Sequence, residues 1–449
     1  MEPILTKHWN NPELFKLDVA LSTGAYEVAR EVIGKREPAS LTDEVKKSGL
    51  RGRGGAGFPT GMKWSFLPKD SPKPKYLVIN ADESEPGSYK DRAIMEKDPH
   101  ALLEGCMLTC YAIGAHACYI YIRGEYWSQT NILNEAIAEA YAKGILGAKP
   151  FGVDFPIDIT VHRGAGAYIC GEETALLTSL EGNRGYPRLK PPFPATHGLW
   201  ASPTVVNNVE TIANVPWIIR HGGEAYSKYG KYVVNDQGKA VVDSRGTRLM
   251  CPSGDIHRAG VHEIELGIKV TDYLEEYCGG VKGTLKAVIP GGSSCPILTA
   301  DEVAQAEMTY ESMAKLGTMF GTGGMIVLNE TRSLVWALHN LLRFYAHESC
   351  GQCTPCREGT DWLYKILGRM LAGRGSDADL QEVLDIADNM EGRTICALAA
   401  AATMPTRSYL TKFKPEFVAH FRKGGIPTDL SGRYLTPLSQ YLPAAAATV

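Results

Sequence analysis

Cys350, Cys353 and Cys356 sit at i, i+3 and i+6 in the run Cys350-Gly351-Gln352-Cys353-Thr354-Pro355-Cys356, and a fourth cysteine, Cys396, lies far downstream. Three thiols so spaced converge on one small object only if the local chain is a tight loop. Gly351 and Pro355 let a backbone turn that sharply. A C-x2-C-x2-C run with one distant cysteine is close in kind to the ligand sets of [4Fe–4S] clusters. A structural zinc site more often shows two separate C-x2-C pairs or a Cys/His mixture. Only 11 of 449 residues are Cys, so this local density argues against an accident of spacing. An iron–sulfur cluster moves single electrons, so the rest of the chain should supply a donor or an acceptor.

A chain of 449 residues is long enough for two or three domains and a sizeable core. The formal charge of −3, with charges interspersed, gives no electrostatic case for nucleic acid. Met1 to Leu21 is polar and broken by Asn-Asn-Pro, unlike a secretory signal. The most apolar region, Ala101 to Ile122, is interrupted by Glu104 and His116 and reads as a buried helix and strand, not a membrane span. An odd number of cysteines with a metal-like cluster among them points to a reducing compartment. The expectation is a cytoplasmic protein, able to dock on a membrane assembly.

In chain order, Tyr26 to Ile33 and Leu41 to Leu50 carry helical periodicity. A glycine loop, Arg51 to Gly61, follows. Gly52, Gly54 and Gly57 formally satisfy G-x-G-x-x-G, but a helix precedes the loop where the dinucleotide fingerprint needs a strand, and Pro59 sits where its helix should already run. Alone this is a weak signal, equally a surface turn. Arg51, Arg53 and Lys63 add the positive charge a phosphate would need. Tyr76 to Asn80 is a strand ending in Asn80-Ala81-Asp82-Glu83-Ser84-Glu85-Pro86-Gly87, polar groups at the end of a strand where open α/β sheets bind ligands; a solvated acidic turn is the plainer alternative.

Helix Pro99 to Ile113 with Asp98 as cap, strand Cys118 to Ile122, helix Asn131 to Lys143 and strand Ile157 to Val161 continue the alternation of a layered α/β domain. Strand, glycine loop and helix then succeed one another through Gly164 to Thr174, with Glu172 and Glu173 placed to complement the helix dipole. Cys170 reads as a small buried residue, and Asn207 and Asn208 as helix caps or ligand contacts. Lys228 to Gly246 looks like a loop or hairpin excursion. Short strands at 248–251, 261–266, 285–289 and 325–328 around a helix at 271–277 predict a small α+β domain, whose loops at 291–294 and 321–324 read as ordinary turns. After Ser333 the pattern is helical (334–345, 362–371, 380–387 and 416–421), and the cysteine loop joins the first two helices while Cys396 follows the third. Leu442 to Val449 reads as a frayed tail. A nucleotide-like cofactor beside an iron–sulfur cluster implies a converter of electron pairs into single electrons, and flavin is the organic cofactor able to stand between them.

Four of these segments, Gly52 to Gly61, Asn80 to Gly87, Gly166 to Ala175 and Glu348 to Arg357, closely resemble the NADH-binding flavoprotein subunits of respiratory complex I, in bacteria the F subunits of NADH:quinone oxidoreductases. The resemblance runs from about residue 20 to residue 425 without a missing motif. It implies a multi-domain α/β fold: N-terminal helices and an FMN- and NADH-binding α/β sandwich (1–240), a small β-grasp-like α+β domain (247–328), and a C-terminal helical bundle carrying a [4Fe–4S] cluster (333–440). It implies FMN phosphate and ribityl near Gly54, Gly55, Lys63, Asn207 and Asn208, and flavin surrounded by Asn80, Asp82, Glu83, Tyr168, Gly171 and Glu172. NADH would stack on Phe58, Phe66 and Phe193, with Glu85, Glu173 and Lys190 beside the nucleotide. Gly52, Gly57, Ser84 and Thr211 complete the implied cofactor contacts, and Cys350, Cys353, Cys356 and Cys396 are the implied cluster ligands. No covalent catalyst is required, Glu85 and Glu173 supporting the hydride transfer. The implied partners are a thioredoxin-like [2Fe–2S] subunit and a multi-cluster iron–sulfur subunit, on the cytoplasmic face of the inner membrane. The long 228–246 segment and Cys295 depart from the pattern and are expected to lie away from the site. A diaphorase subunit of an NAD-dependent hydrogenase or formate dehydrogenase would share the same site. A non-catalytic, metal-stapled binding protein is the reading from another class; it leaves the glycine loops and paired acidic motifs unexplained.

Overall fold

The structure is a computed structural model and describes residues 2–442. The expected tail lies outside the described residues from 443 onward. Strands β1 (Tyr76–Ala81), β2 (Ala117–Ile122), β3 (Asp158–Arg163) and β4 (Thr204–Asn208) form a parallel sheet in the order β3-β2-β1-β4. Side chains of β1 alternate between two cores. Leu77, Ile79 and Ala81 pack with helix Pro99–Ile113, and Val78 packs with helix Glu173–Leu180 and the C-terminal helices. Both faces are therefore covered, as an all-parallel sheet requires.

Helix Pro99–Ile113 begins as its sequence dictates: Pro99 stands at the first helical position and the Asp98 carboxylate accepts from Ala101 N at 3.0 Å. Gly105 is there for approach, since a Cβ on it would lie 2.2 Å from the Ile212 carbonyl oxygen. Glu104 on the same helix is buried, accepts from Ala29 N at 3.0 Å, and is pushed by that burial up to about 7. A carboxyl whose pKa rises on folding contributes stability that is complete below its unfolded pKa and is lost as pH rises through 7. Glu104→Gln keeps the acceptor and removes the charge. Its thermal stability should match the parent at pH 4 and exceed it at pH 8.5, by up to about 3 kcal/mol.

Strands β5 (Gly230–Val234) and β6 (Ala240–Arg245) form a separate antiparallel hairpin within the anticipated excursion. Beyond it, β7 (Thr247–Gly254), β8 (His262–Glu265), β9 (Leu285–Ile289), β10 (Leu298–Thr299) and β11 (Gly324–Asn329) make a mixed sheet in the order β10-β9-β11-β7-β8. Its core, which includes Met250, Ile264, Tyr273 and Val327, is its own. Helices Leu334–Glu348, Thr354–Leu371, Asp377–Met390, Leu398–Lys412 and Lys414–Arg422 complete the chain. The sequence pattern missed helix Leu398–Lys412 because Ala399 to Ala402 blurs its apolar stripe and Pro405 reads as a break, although it lies inside the helix. It also missed β4, whose last residues Asn207 and Asn208 read as the caps of the next helix, and the short helices Ala300–Gln305 and Tyr310–Lys315. Among the described residues, no helix is long and apolar enough to cross a membrane. The apolar region 101–122 is a buried helix and strand.

Candidate functional site

Chain direction across the parallel sheet reverses at β1: β2 and β3 build outward on one side and β4 returns to the other. Ligands of open α/β sheets sit at that switch point, outside the carboxyl ends of the strands. Asn80 and Asn208 pair in register at the ends of β1 and β4. The glycine loop closes over them. Arg53 N donates to Thr211 Oγ1 at 2.8 Å, and a Cβ on Gly54 would meet Asn208 Cβ at 3.2 Å. The loop follows helix Pro38–Ser48 and precedes helix Thr60–Ser65, so it is not the ordinary dinucleotide turn.

Two cavities meet at this loop and share Gly54, Gly55, Ala56, Asn80, Gly171 and Asn208. The larger, about 830 Å³, runs past Gly52, Gly57, Phe58, Lys63, Phe66, Glu173, Lys190, Phe193, Asn207 and Thr211. The smaller, about 380 Å³, runs past Asp82, Glu83, Ser84, Glu85, Tyr168 and Glu172. Every residue that the resemblance implies for cofactor contact lines one cavity or the other. Phe58, Phe66 and Phe193 stay 45, 55 and 57 % exposed, and the first two rings stand 6.0 Å apart. Apolar rings so exposed at a cavity wall are a platform for a flat heterocycle.

The acidic residues divide by what their oxygens already hold. Glu83 accepts from Asp91 N (3.0 Å), Arg92 N (2.9 Å), Ser88 Oγ (3.0 Å) and Tyr126 OH (3.1 Å), so its carboxylate binds the first turn of helix Lys90–Lys97. Glu172 caps helix Glu173–Leu180 through Thr174 N and Ala175 N. Asp82 differs. One oxygen accepts from Ser84 Oγ at 2.6 Å, while Oδ2 is buried with no partner among the described residues, and burial pushes the group up to about 7. A buried orphan acceptor beside a cavity is where a ligand donor fits. Glu85 accepts from Ser294 N and Tyr168 OH, both at 2.7 Å, and burial raises its pKa. Glu173 receives Lys63 Nζ and Lys190 Nζ at 3.0 Å each; these ammoniums outweigh its burial and hold it below the usual carboxylate range.

The four cysteines line one small cavity with Ile169, Ser349 and Ile395. Gly351 takes φ +81°, Ser349 Oγ lies 3.3 Å from Cys356 Sγ, and Ile395 N donates to Cys353 Sγ at 3.4 Å. Among the described residues, no three Cys, His, Asp or Glu groups are gathered closely enough for a single ion; a cubane instead takes each thiolate on a different iron. N–H and O–H groups donating to the ligand sulfurs are what such clusters use to tune and orient their thiolates. Cys170 is buried and lines neither this cavity nor the two above, in keeping with its small-core reading.

Two expectations need correction. The loops at 291–294 and 321–324 are not mere turns, because Ser294, Gly321 and Thr322 wall the smaller cavity. Arg51 and Arg53, expected to offer charge to a phosphate, line neither cavity and turn instead to β6 and Tyr310, while Cys295 and the 228–246 segment lie behind the walls without lining either cavity. Cys295 Sγ lies 2.7 Å from where a Gly321 Cβ would sit, and Arg51 and Arg53 donate to the carbonyls of Asp243 (3.3 Å) and Arg245 (3.4 Å) in β6. Nothing local marks such contacts, which join distant stretches of the chain. Lys90 was also missed: buried at the cavity wall, its Nζ donates to Asp91 Oδ1 at 2.7 Å and Asn208 Oδ1 at 3.3 Å.

Residues 45–217 match the family described as the Nuo51 FMN-binding domain, and residues 336–420 the NADH-ubiquinone oxidoreductase-F iron-sulfur binding region. The chain is 49 % identical over 379 residues to the NADH-quinone oxidoreductase F subunit of Rickettsia bellii (strain OSU 85-389), covering 84 % of this chain and 88 % of that one. It is 46 % identical over 428 residues to the second such F subunit of Rhizobium meliloti (strain 1021), covering 95 % and 99 %. Among solved structures, an NAD+-reducing [NiFe]-hydrogenase in the H2-reduced state matches with a TM-score of 0.79 and 34 % identity, over 92 % of this chain and 67 % of that one. With both cofactor-binding regions present and near half-identity over most of its length, this chain belongs to the family of NADH-quinone oxidoreductase F subunits.

Proposed function

We propose that this chain is the electron-input subunit of a complex I, oxidising NADH with FMN and a [4Fe–4S] cluster as its cofactors. The observation that carries the reading is a shared wall: Cys396, Ile169 and Leu398 line both the smaller cavity and the cysteine cavity. When bound, FMN takes an electron pair from NADH as hydride, and the cluster carries single electrons onward. The residues hold and orient. Gly54, Gly55 and the β4 end cradle the flavin nucleotide, Asp82 Oδ2 offers it an unused acceptor, and Phe58, Phe66 and Phe193 give the nicotinamide nucleotide a stacking surface. Glu173, held by Lys63 and Lys190 on the wall of the larger cavity, and Glu85, held by Ser294 and Tyr168 on the wall of the smaller, keep the two walls in one geometry, which is what hydride transfer between two rings demands. Cys350, Cys353, Cys356 and Cys396 hold the cluster.

The mixed sheet at 247–329 we read as the β-grasp-like domain, between the α/β domain (1–240) and the bundle (333–440). The specific partners are a thioredoxin-like [2Fe–2S] subunit and a multi-cluster iron–sulfur subunit on the cytoplasmic face of the membrane. The hydrogenase likeness supports a second reading, a diaphorase subunit. Its 34 % identity against 46–49 % for the F subunits favours the first.

An anaerobic visible spectrum before and after adding NADH tests the activity. Flavin bands that bleach over a broad iron–sulfur absorbance are expected. A colourless, zinc-containing protein indifferent to NADH would return the chain to the metal-stapled binding class.

A further inference from the structure

The glycine loop at the heart of the site is held by a residue from the core of the mixed-sheet domain. Tyr310 opens helix Tyr310–Lys315 and is buried. Its ring lies against Gly57, which takes φ +65° and where a Cβ would come within 2.5 Å of Tyr310 Cε1. Its hydroxyl donates to the Gly52 carbonyl at 3.3 Å. One side chain therefore touches both ends of the loop.

Three guanidiniums gather on that same side chain. Arg51 Cζ sits 3.8 Å from the ring centroid, while Arg53 and Arg248 donate to the hydroxyl oxygen at 3.0 and 3.2 Å. Arg53 and Arg248 are fully buried. Each is tied elsewhere, Arg53 to the Thr247 carbonyl at 2.8 Å and Arg248 to the Gly321 carbonyl at the cavity wall. Arg51 is anchored by Glu311 at 2.8 Å and donates to the Gly57 carbonyl at 2.6 Å. Burial raises the Tyr310 phenol, but the charges of Arg248, Arg53 and Arg51 outweigh it and hold it below its ordinary value. Two buried guanidiniums are a heavy desolvation load for a turn that needed only to be closed. The phenol oxygen accepts from both and donates once, while Nε of each has no hydrogen-bond partner among the described residues, so neither guanidinium can spare that acceptor.

We propose that Tyr310 is a positioning residue for the flavin mononucleotide: it fixes the separation of the two ends of the Gly52–Gly57 loop, and so makes retention of the cofactor depend on the mixed-sheet domain. This rests on the reading that the loop holds FMN.

The test uses the purified protein and Tyr310→Phe, which keeps the ring against Gly57 and removes the hydroxyl. FMN dissociation is followed by flavin fluorescence, beside iron content, melting temperature and NADH oxidation with and without added FMN. Tyr310→Phe should raise the FMN dissociation constant about tenfold, with iron retained, a lower melting temperature because two buried guanidiniums lose an acceptor, and oxidation restored by excess FMN. Glu311→Gln, which frees Arg51 without touching the loop, should shift the constant in the same direction by a smaller factor. A parental FMN constant in Tyr310→Phe overturns the proposal. So does a Tyr310→Phe protein that fails to fold or sheds iron and flavin together, if Glu311→Gln then retains FMN like the parent. A parental protein without flavin defeats the functional reading itself.

Discussion

Cys356→Ala should empty the cluster site while leaving the flavin in place. Cys356 is buried in the first turn of helix Thr354–Leu371, and Cys353 is that helix's N-cap, so helix and cluster loop form one rigid piece. Loss of one of four thiolates from so small a cavity leaves an iron without a ligand, and burial pushes the remaining Cys396 thiol up to about 11, against ionisation without a metal beside it. Iron should fall from about four per chain to below about one. The flavin bands should still bleach with NADH, because Asp82, the glycine loop and the aromatic wall do not depend on Cys356. Passage of electrons to a downstream acceptor should fall to background. Cys170→Ala, a buried thiol away from the cavity, is the control and should keep its iron. Retention of full iron by Cys356→Ala would break the ligand assignment.

Glu85→Gln is expected to raise the KM for NADH about tenfold or more. Both Glu85 oxygens are acceptors: Ser294 N and Tyr168 OH donate at 2.7 Å, and Ser293 Oγ lies 3.4 Å away. An amide keeps its oxygen on Ser294 N and presents its NH2 group to Tyr168 OH, which must turn from donor to acceptor, and losing the buried charge-assisted bonds costs about 1–3 kcal/mol. The loop 291–294 that walls the smaller cavity and the Tyr168 ring should both relax. Tyr168→Phe removes the same contact from the other side, so the double variant should lose less than the two singles summed. An unchanged KM in Glu85→Gln would remove the residue from the nucleotide site.

Much of the molecule was legible because its signals are local. Alternating apolar strands and capped helices marked β1, β2, β3 and helix Pro99–Ile113 close to their observed bounds. Asp98 and Asn208 cap the helices they precede. The cysteine spacing with Gly351 and Pro355 marked a tight loop between two helices; the loop is found only from Ser349 to Cys353, while Pro355 and Cys356 belong to the first turn of the helix that follows. Where local signals conflicted, reading failed. Asn207 and Asn208 read as a helix entry yet end strand Thr204–Asn208, and helix Leu398–Lys412 holds a proline that tertiary packing overrides.

Other assignments had no local signature. Glu83 carries the same acidic appearance as Asp82, yet four donors from a helix start and a tyrosine occupy it, while Asp82 keeps an oxygen free. Which of two neighbouring carboxylates keeps an oxygen free depends on where distant N–H groups fall, and spacing along the chain does not encode that. Residue order alone carried the chemistry in hand: four thiols, a glycine loop, paired carboxylates, and the parallel α/β alternation that presents polar strand ends at one edge. The closed fold was needed to make Cys396 border both the flavin-sized cavity and the cysteine cavity, and to bring Tyr310 against a loop more than 250 positions away. The physical reason is that hydrogen-bond and packing patterns of short range are written in residue order, whereas these walls form only when the parallel sheet, the mixed sheet and the C-terminal helices close on a core they share.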